Sequence, residues 1–391
     1  MKAKKLAAIL LTAAMSVGLL GGCGDSAKES SNNEGGSQAA AASESDSGEV
    51  KKIGISMPTQ SLERWNRDGA YLDEQFKAAG FETELTYSDN DASRQVNDIE
   101  NMIADKVDLL VVAAIDGEAL NTCMNSAAEA NIPVISYDRL ILNDAVSYYV
   151  SFDNYTVGKL QGEYVKDQLK LDEGGKYNIE FTAGDPADNN AGYFFNGAYD
   201  VLKPYIESGV LNVVSGQQKF DEVATEQWNT DTAMDRAQNI LGSYYADGTQ
   251  LDAWVCSNDS TALGVAKAVT SDYEGDVQKL IITGQDGDIA NLTNIVDGIQ
   301  SMTVYKNVSN EAVVTLALAQ AMLKGETIDE SLCSKFGVDC AFDTESYETS
   351  AGKKCPSFLL VPSVITKDNL QDLVDTGLYT MDDKGYLQAA E

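Results

Sequence analysis

Repeatedly in this chain a short apolar run gives way to ionic or amide side chains: Arg64-Trp65, Asp138-Arg139, Asp188-Asn189-Asn190, Asn258-Asp259, Gln285-Asp286 and Lys306. A carboxylate offers acceptors, a guanidinium a planar fork of donors, and an amide both kinds. Set side by side, opposite charges neutralise each other while each makes hydrogen bonds stronger than neutral ones. Such a set suits a small molecule dense in hydroxyl groups, because every hydroxyl both donates and accepts.

A monosaccharide is such a molecule, with apolar C–H faces between its hydroxyls. Arg64, Asp138, Arg139, Asn190, Asn258, Asp286 and Lys306 are the candidates for the hydroxyls, and Trp65 or Trp228 for a C–H face. Blander roles compete. An Asp after a strand often caps the next helix; Asp153 and Asp259 divide between cap and ligand contact, and for Asp259 the cap is expected. Trp254 lies inside an apolar run and is expected in the core. Paired carboxylates could also serve a glycosidase, which needs one acid of raised pKa in an apolar niche. Here every candidate acid lies beside an Arg or amides, which favours the ionised form and argues against an enzyme.

Other chemistries are thinly represented. The chain has no histidine, which removes Ser-His-Asp and Cys-His triads and His-ligated zinc. Neither a P-loop nor a GxGxxG stretch occurs. The run from Asp89 opens like a calcium loop but carries Arg94 where such a loop needs Gly, so no metal site is expected. No cofactor is expected either. The net charge of −33 argues against nucleic-acid binding. Cys123 and Cys256 read as buried thiols, while Cys333, Cys340 and Cys355 allow one disulfide with three pairings.

The elements that must position these residues alternate. Val/Ile-rich apolar runs such as KIGISM, VDLLVVAAI and IPVISYD are separated by amphipathic helical stretches, and the pattern repeats through YNIEFTAG, LNVVSG, LDAWVCSND, KLIITGQD and QSMTVYK. Continuous apolar strands between helices indicate parallel βαβ units covered on both faces. Two sets of about five units suggest an α/β fold of two doubly wound, Rossmann-like lobes. Ligands of such sheets bind beyond the carboxyl ends of the strands, where the polar pairs lie.

The first residues read as a processing signal. Lys-rich residues precede an apolar run, and Leu20-Gly21-Gly22-Cys23 resembles a lipobox. The expectation is a signal peptide over 1–22, acylation of Cys23, and a Ser/Gly/Ala-rich tether through 49 that cannot bury enough apolar surface to fold. Acyl chains would anchor the protein to the membrane from outside without spanning it. The folded part is expected from near Val50.

Taken together, ERW, YDRLI, FDN, DPADNNA, SND, GQD and MTVYK resemble the type I periplasmic sugar-binding proteins, above all their xylose-binding and multiple-sugar-binding members, over nearly the whole chain after the tether. The resemblance implies two lobes joined by three hinge strands, closing on one sugar that passes to the transmembrane subunits of an ABC permease. It implies lobes of 50–154 plus 307–358 and of 155–306 plus 359–391, and a monomer. It carries Arg64, Trp65, Asp138, Arg139, Asn190, Asn258, Asp286 and Lys306 into the sugar site, adds Asp188 from the DNN turn, and matches Trp228 to the stacking tryptophan. Thr59-Gln60 departs from the acidic pair of xylose-binding members, which leaves the sugar open among the xylose, arabinose, glucose and galactose class. A sugar sensor serving a receptor kinase would use the same closed lobes.

Overall fold

The computed structural model describes residues 50–349 and 352–390. The expected signal peptide, Cys23 and the tether lie outside the described residues. Strands β1 (Lys52–Met57), β2 (Glu82–Tyr87), β3 (Leu109–Val112), β4 (Val134–Tyr137) and β5 (Val146–Phe152) alternate with helices α1 (Glu63–Ala78), α2 (Ala92–Ala104) and α3 (Asn121–Glu129). Next come α4 (Asn154–Gln168), β6 (Tyr177–Thr182), α5 (Asn189–Glu207), β7 (Leu211–Val213), α6 (Phe220–Val223) and α7 (Thr230–Ile240). They are followed by β8 (Ala253–Cys256), α8 (Asp259–Asp272), β9 (Ile281–Ile282), α9 (Ile289–Asp297) and β10 (Met302–Tyr305). The chain then adds α10 (Val308–Leu323), α11 (Cys333–Phe336), β11 (Cys340–Asp343), β12 (Ser357–Leu360) and β13 (Ser363–Thr366).

Two sheets result. One has seven strands in the order β11-β12-β5-β4-β3-β1-β2, and the other has four in the order β7-β6-β8-β9. Apart from β11, neighbours in both run parallel. Strands β10 and β13 pair antiparallel, and a bridge between Gln285 and Val304 ties β10 to the end of β9. Strands β3 (LLVV) and β8 (AWVC) are buried throughout, as strands covered by helices on both faces must be. The chain passes between the sheets after β5, after β10, and between β12 and β13.

Helix ends follow from short polar caps. Asp91 accepts from the amides of Ser93 and Arg94 to start α2, and Asp153 accepts from Thr156 to start α4. Gly158 lets α4 and α5 touch, since a Cβ there would lie 1.9 Å from the Phe194 carbonyl oxygen. Cys123, Cys256 and Trp254 are fully buried, as expected. The late cysteines are free thiols, with Cys333 and Cys340 3.9 Å apart and Cys355 buried elsewhere.

Gln227 and Trp228 take φ of 56° and 55°, and α7 begins beyond them behind an Asn229 cap. One expectation is corrected. Asp259 is not the cap of α8, because Asn258 caps it by accepting from Thr261. The Asp259 carboxylate turns inward and accepts from the amides of Gly287 and Asp288, from Gln300 and from Thr303.

Candidate functional site: a charged cavity between the sheets

The loops after β1, β4, β8 and β9 and the end of β10 converge on one cavity, joined by the start of α5 and the turn before α7. Arg64 enters from the first turn of α1, one helical turn before Asp68, to which its Nε donates at 3.0 Å. Asp138 follows β4 with φ of 55°. Its carbonyl oxygen accepts from Tyr149 Oη at 2.5 Å, Asn190 Nδ2 at 2.6 Å and Ser151 Oγ at 3.0 Å. Asp286 follows β9 with φ of 107°, a conformation strained for a non-glycine residue and seldom kept unless its surroundings enforce it.

Arg64 is the centre of the charge network. It donates to Asp138 at 2.7 Å, to Glu311 at 3.3 Å and to Asp286 at 3.4 Å, besides Asp68. Lys306, 2% exposed, donates to Asp138 at 3.0 Å and stands 3.6 Å from Asp286. Across the cavity Arg139 Nε lies 3.1 Å from Asp188 Oδ2. Burial would raise the pKa of Asp138, but Arg64 and Lys306 outweigh it and hold the carboxyl well below the usual range. Burial wins at Glu311, where Asp138 and Asp68 add to it against Arg64 and Lys306, and the carboxyl is pushed far up. It also wins at Asp188 against the pull of Arg139. The expectation that every candidate acid sits in surroundings favouring ionisation is therefore corrected at Asp188.

The two tryptophans differ. Both the Arg64 and Arg139 guanidinium carbons lie over the Trp65 ring, at 4.8 Å and 5.0 Å from its centroid, so Trp65 spaces and stacks two cations. Trp228 packs edge-on against Phe194, with centroids 6.2 Å apart, and donates to Asp188 at 3.3 Å. It fits only because residue 184 is glycine: a Cβ there would fall 1.9 Å from the indole. Gly184→Ala is expected to displace Trp228 and weaken ligand binding at least about tenfold, a loss of about 1.4 kcal/mol, with a matching change in tryptophan fluorescence.

Of the residues expected in a site, Arg64, Trp65, Asp138, Arg139, Asp188, Trp228, Asn258, Asp286 and Lys306 line this cavity. Asn190 does not; it stands behind, donating to the Asp138 carbonyl and accepting from Tyr149. Leu62, Phe194 and Ser260 also line the cavity and were not singled out in the sequence, and Gln285 was noted there only as the neighbour of Asp286. Ser260 and Gln285 sit beside chosen residues in the same polar stretches, which was the only signal for them. The cavity between these side chains has a volume of about 30 Å³, room for a water molecule or two, so a ligand enters only as its walls move apart. Among the described residues no cluster of three or more acidic, Cys or His side chains could hold a metal ion. The lining cations Arg64, Arg139 and Lys306 are matched by the lining carboxylates Asp138, Asp188 and Asp286. The arrangement can bind a compact, neutral, polyhydroxylated ligand between donors, acceptors and indole.

Comparison with known proteins points the same way. A family model described as a periplasmic binding protein domain matches residues 53–327. The chain is 40% identical over 335 residues to the multiple sugar-binding periplasmic receptor ChvE of Rhizobium radiobacter, covering 84% of this chain and 91% of that one. It is 32% identical over 329 residues to the D-xylose-binding periplasmic protein of Escherichia coli, covering 83% and 89%. It is also similar to the crystal structure of an ABC transporter solute binding protein from Clostridium phytofermentans with bound β-D-glucose. That match has a TM-score of 0.80 and 47% identity, over 85% of this chain and 99% of that one.

Proposed function

This chain belongs to the type I periplasmic sugar-binding proteins, and from that premise we propose that it is the substrate-binding subunit of an ABC importer, closing two lobes on one neutral monosaccharide. The observation that carries the reading is the balanced set of three cations and three carboxylates that line one cavity between the sheets. A hydroxyl-rich neutral ligand completes that network; an added ligand charge would unbalance it in a site with little water.

Glucose heads the candidate list, because a solved relative at 47% identity holds β-D-glucose, with xylose, arabinose and galactose beside it. The lobes are 50–154 plus 307–358 and 155–306 plus 359–391. Each holds one of the two sheets, save that the last two residues of β12 fall beyond the boundary at 358, and the chain's three passages between sheets supply the hinge. Closure is a hinge motion about those passages, and the closed form delivers sugar to the permease. The protein works as a monomer outside the cytoplasm and performs no chemistry on the sugar. Incubation with radiolabelled glucose is expected to give one bound sugar per chain, recovered unchanged; release of a modified sugar would overturn the reading.

Cys23 provides the tie to the membrane as the acylated first residue of the mature chain. Intact-mass measurement of the native protein is expected to show an acylated chain beginning at Cys23, and Cys23→Ser to release it or leave it unprocessed. An unmodified wild-type chain cut elsewhere would contradict this.

A further inference from the structure

A second polar contact joins the two sides of the cleft beside the sugar cavity without lining it. Glu63 and Arg67 lie one turn apart at the start of α1, with Arg67 Nη1 3.2 Å from Glu63 Oε1. From there Arg67 reaches the loop after β9. It donates to the carbonyls of Asp286 and Gly287 and to Asp288 Oδ1, each at 3.1 Å, and to Tyr379 Oη at 3.1 Å. The Glu63 carboxylate accepts from the Ile289 amide, at the first residue of α9, at 3.2 Å and 3.3 Å. Tyr379 donates in turn to the Gly287 carbonyl at 2.8 Å, which leaves its oxygen free to accept from Arg67. Glu63, Arg67, Asp288 and Tyr379 are all absent from the lining of the sugar cavity.

Both jaws are firmly mounted. Leu72 and Phe76 fix α1 in the core of the seven-stranded sheet with Ile53 and Ile55. Tyr379 sits in a separate core with Tyr305, Leu292 and Ile295. The loop between is held from its own side by Asp259, which accepts from the Gly287 and Asp288 amides at 2.9 Å each. Asp259 and Arg67 thus grip opposite faces of the loop that carries Asp286.

We propose that Glu63 and Arg67 are positioning residues that clasp the loop 286–289 across the cleft, setting how often the lobes close and how long a sugar stays, without touching the sugar. This rests on the closing-lobe reading above. A guanidinium fork shared among two carbonyls, a carboxylate and a phenol forms only when the lobes meet, so it favours the closed form with or without ligand. Sugar enters the open cleft and is held by closure, so with a mostly open sugar-free protein apparent affinity scales with the closing equilibrium of the sugar-bound form, and reducing that about tenfold weakens binding about tenfold. The effect belongs in the dissociation rate, since the open cleft still meets sugar unhindered.

The test uses the secreted chain with donor and acceptor dyes at the exposed positions Glu118 and Lys219, read by single-molecule energy transfer, together with stopped-flow tryptophan fluorescence on D-glucose. Arg67→Met is expected to lower the closed fraction of the sugar-free protein and to raise the glucose dissociation rate about tenfold. The association rate and the sugar-free melting temperature should be unchanged. Arg67→Lys keeps the charge but loses the fork and should behave nearly as Arg67→Met. Glu63→Ala, at the cleft rim, should shift both readouts several-fold the same way and serves if Arg67→Met does not fold. Variants that close as often and release glucose as slowly as the wild type would overturn the clasp alone. A wild type whose dye distance ignores glucose would overturn the closing-lobe reading, and the clasp with it.

Discussion

Replacing Arg64 with methionine is expected to abolish measurable monosaccharide binding and to lower the melting temperature of the sugar-free protein. Both effects follow from one guanidinium serving four acidic side chains. Asp138 and Asp286 face the cavity, while Asp68 and Glu311 lie behind it with no exposed surface. Removing one member of a buried charged network leaves the others unpaired, at about 3–5 kcal/mol. The two rear acids cannot recover solvent by opening the cleft, so their share falls on folding; the two front acids lose the donor that sets their geometry, so their share falls on affinity. Arg64→Lys restores charge without the fork and is expected to recover stability better than affinity. Calorimetric titration and thermal unfolding of both variants check this.

Asp286→Gly separates the two quantities in the other direction. The carboxylate is lost from the closed site, where Lys306 and Arg64 approach it at 3.6 Å and 3.4 Å. A loss of about 2.8 kcal/mol or more is about a hundredfold in affinity. The sugar-free protein should be as stable as the wild type or more so, because glycine relieves a backbone φ of 107°. Asp259→Ala is the contrast. It takes an acceptor from four donors within one side of the cleft, of which Gly287 and Gln300 keep a second partner, and unsatisfied buried groups cost about 1–3 kcal/mol each. That variant should lose more than about 2 kcal/mol of stability before its affinity is even measured. If Asp286→Gly binds glucose as tightly as the wild type, the cavity is misassigned.

Much of this was legible because one physical rule covers it. A strand buried on both faces must be apolar, so the first polar residues after it mark its carboxyl end, where an α/β sheet binds ligands. Arg64, Asp138, Asn258, Asp286 and Lys306 were found that way. Phe194 was not, since it sits in the second turn of α5, away from any strand end. Asp259 was misread because a cap and an inward-facing carboxylate differ by one residue of register, and Asn258 took the cap. The break at Gln227 and Trp228 leaves no mark in hydrophobic periodicity, although it aims the indole. Burial at Asp188 outweighs its Arg neighbour, a balance of depth against charge that a linear chain does not reveal.

Lining charges that balance, three against three, should select a neutral monosaccharide. Isothermal titration of the wild-type protein with D-glucose, D-glucuronate and glucose 6-phosphate decides whether they do. One neutral sugar is expected to bind per chain, with the two anions at least about a hundredfold weaker, or about 2.8 kcal/mol. Anions binding as tightly as glucose, or no heat with glucose, xylose, arabinose or galactose, would contradict it.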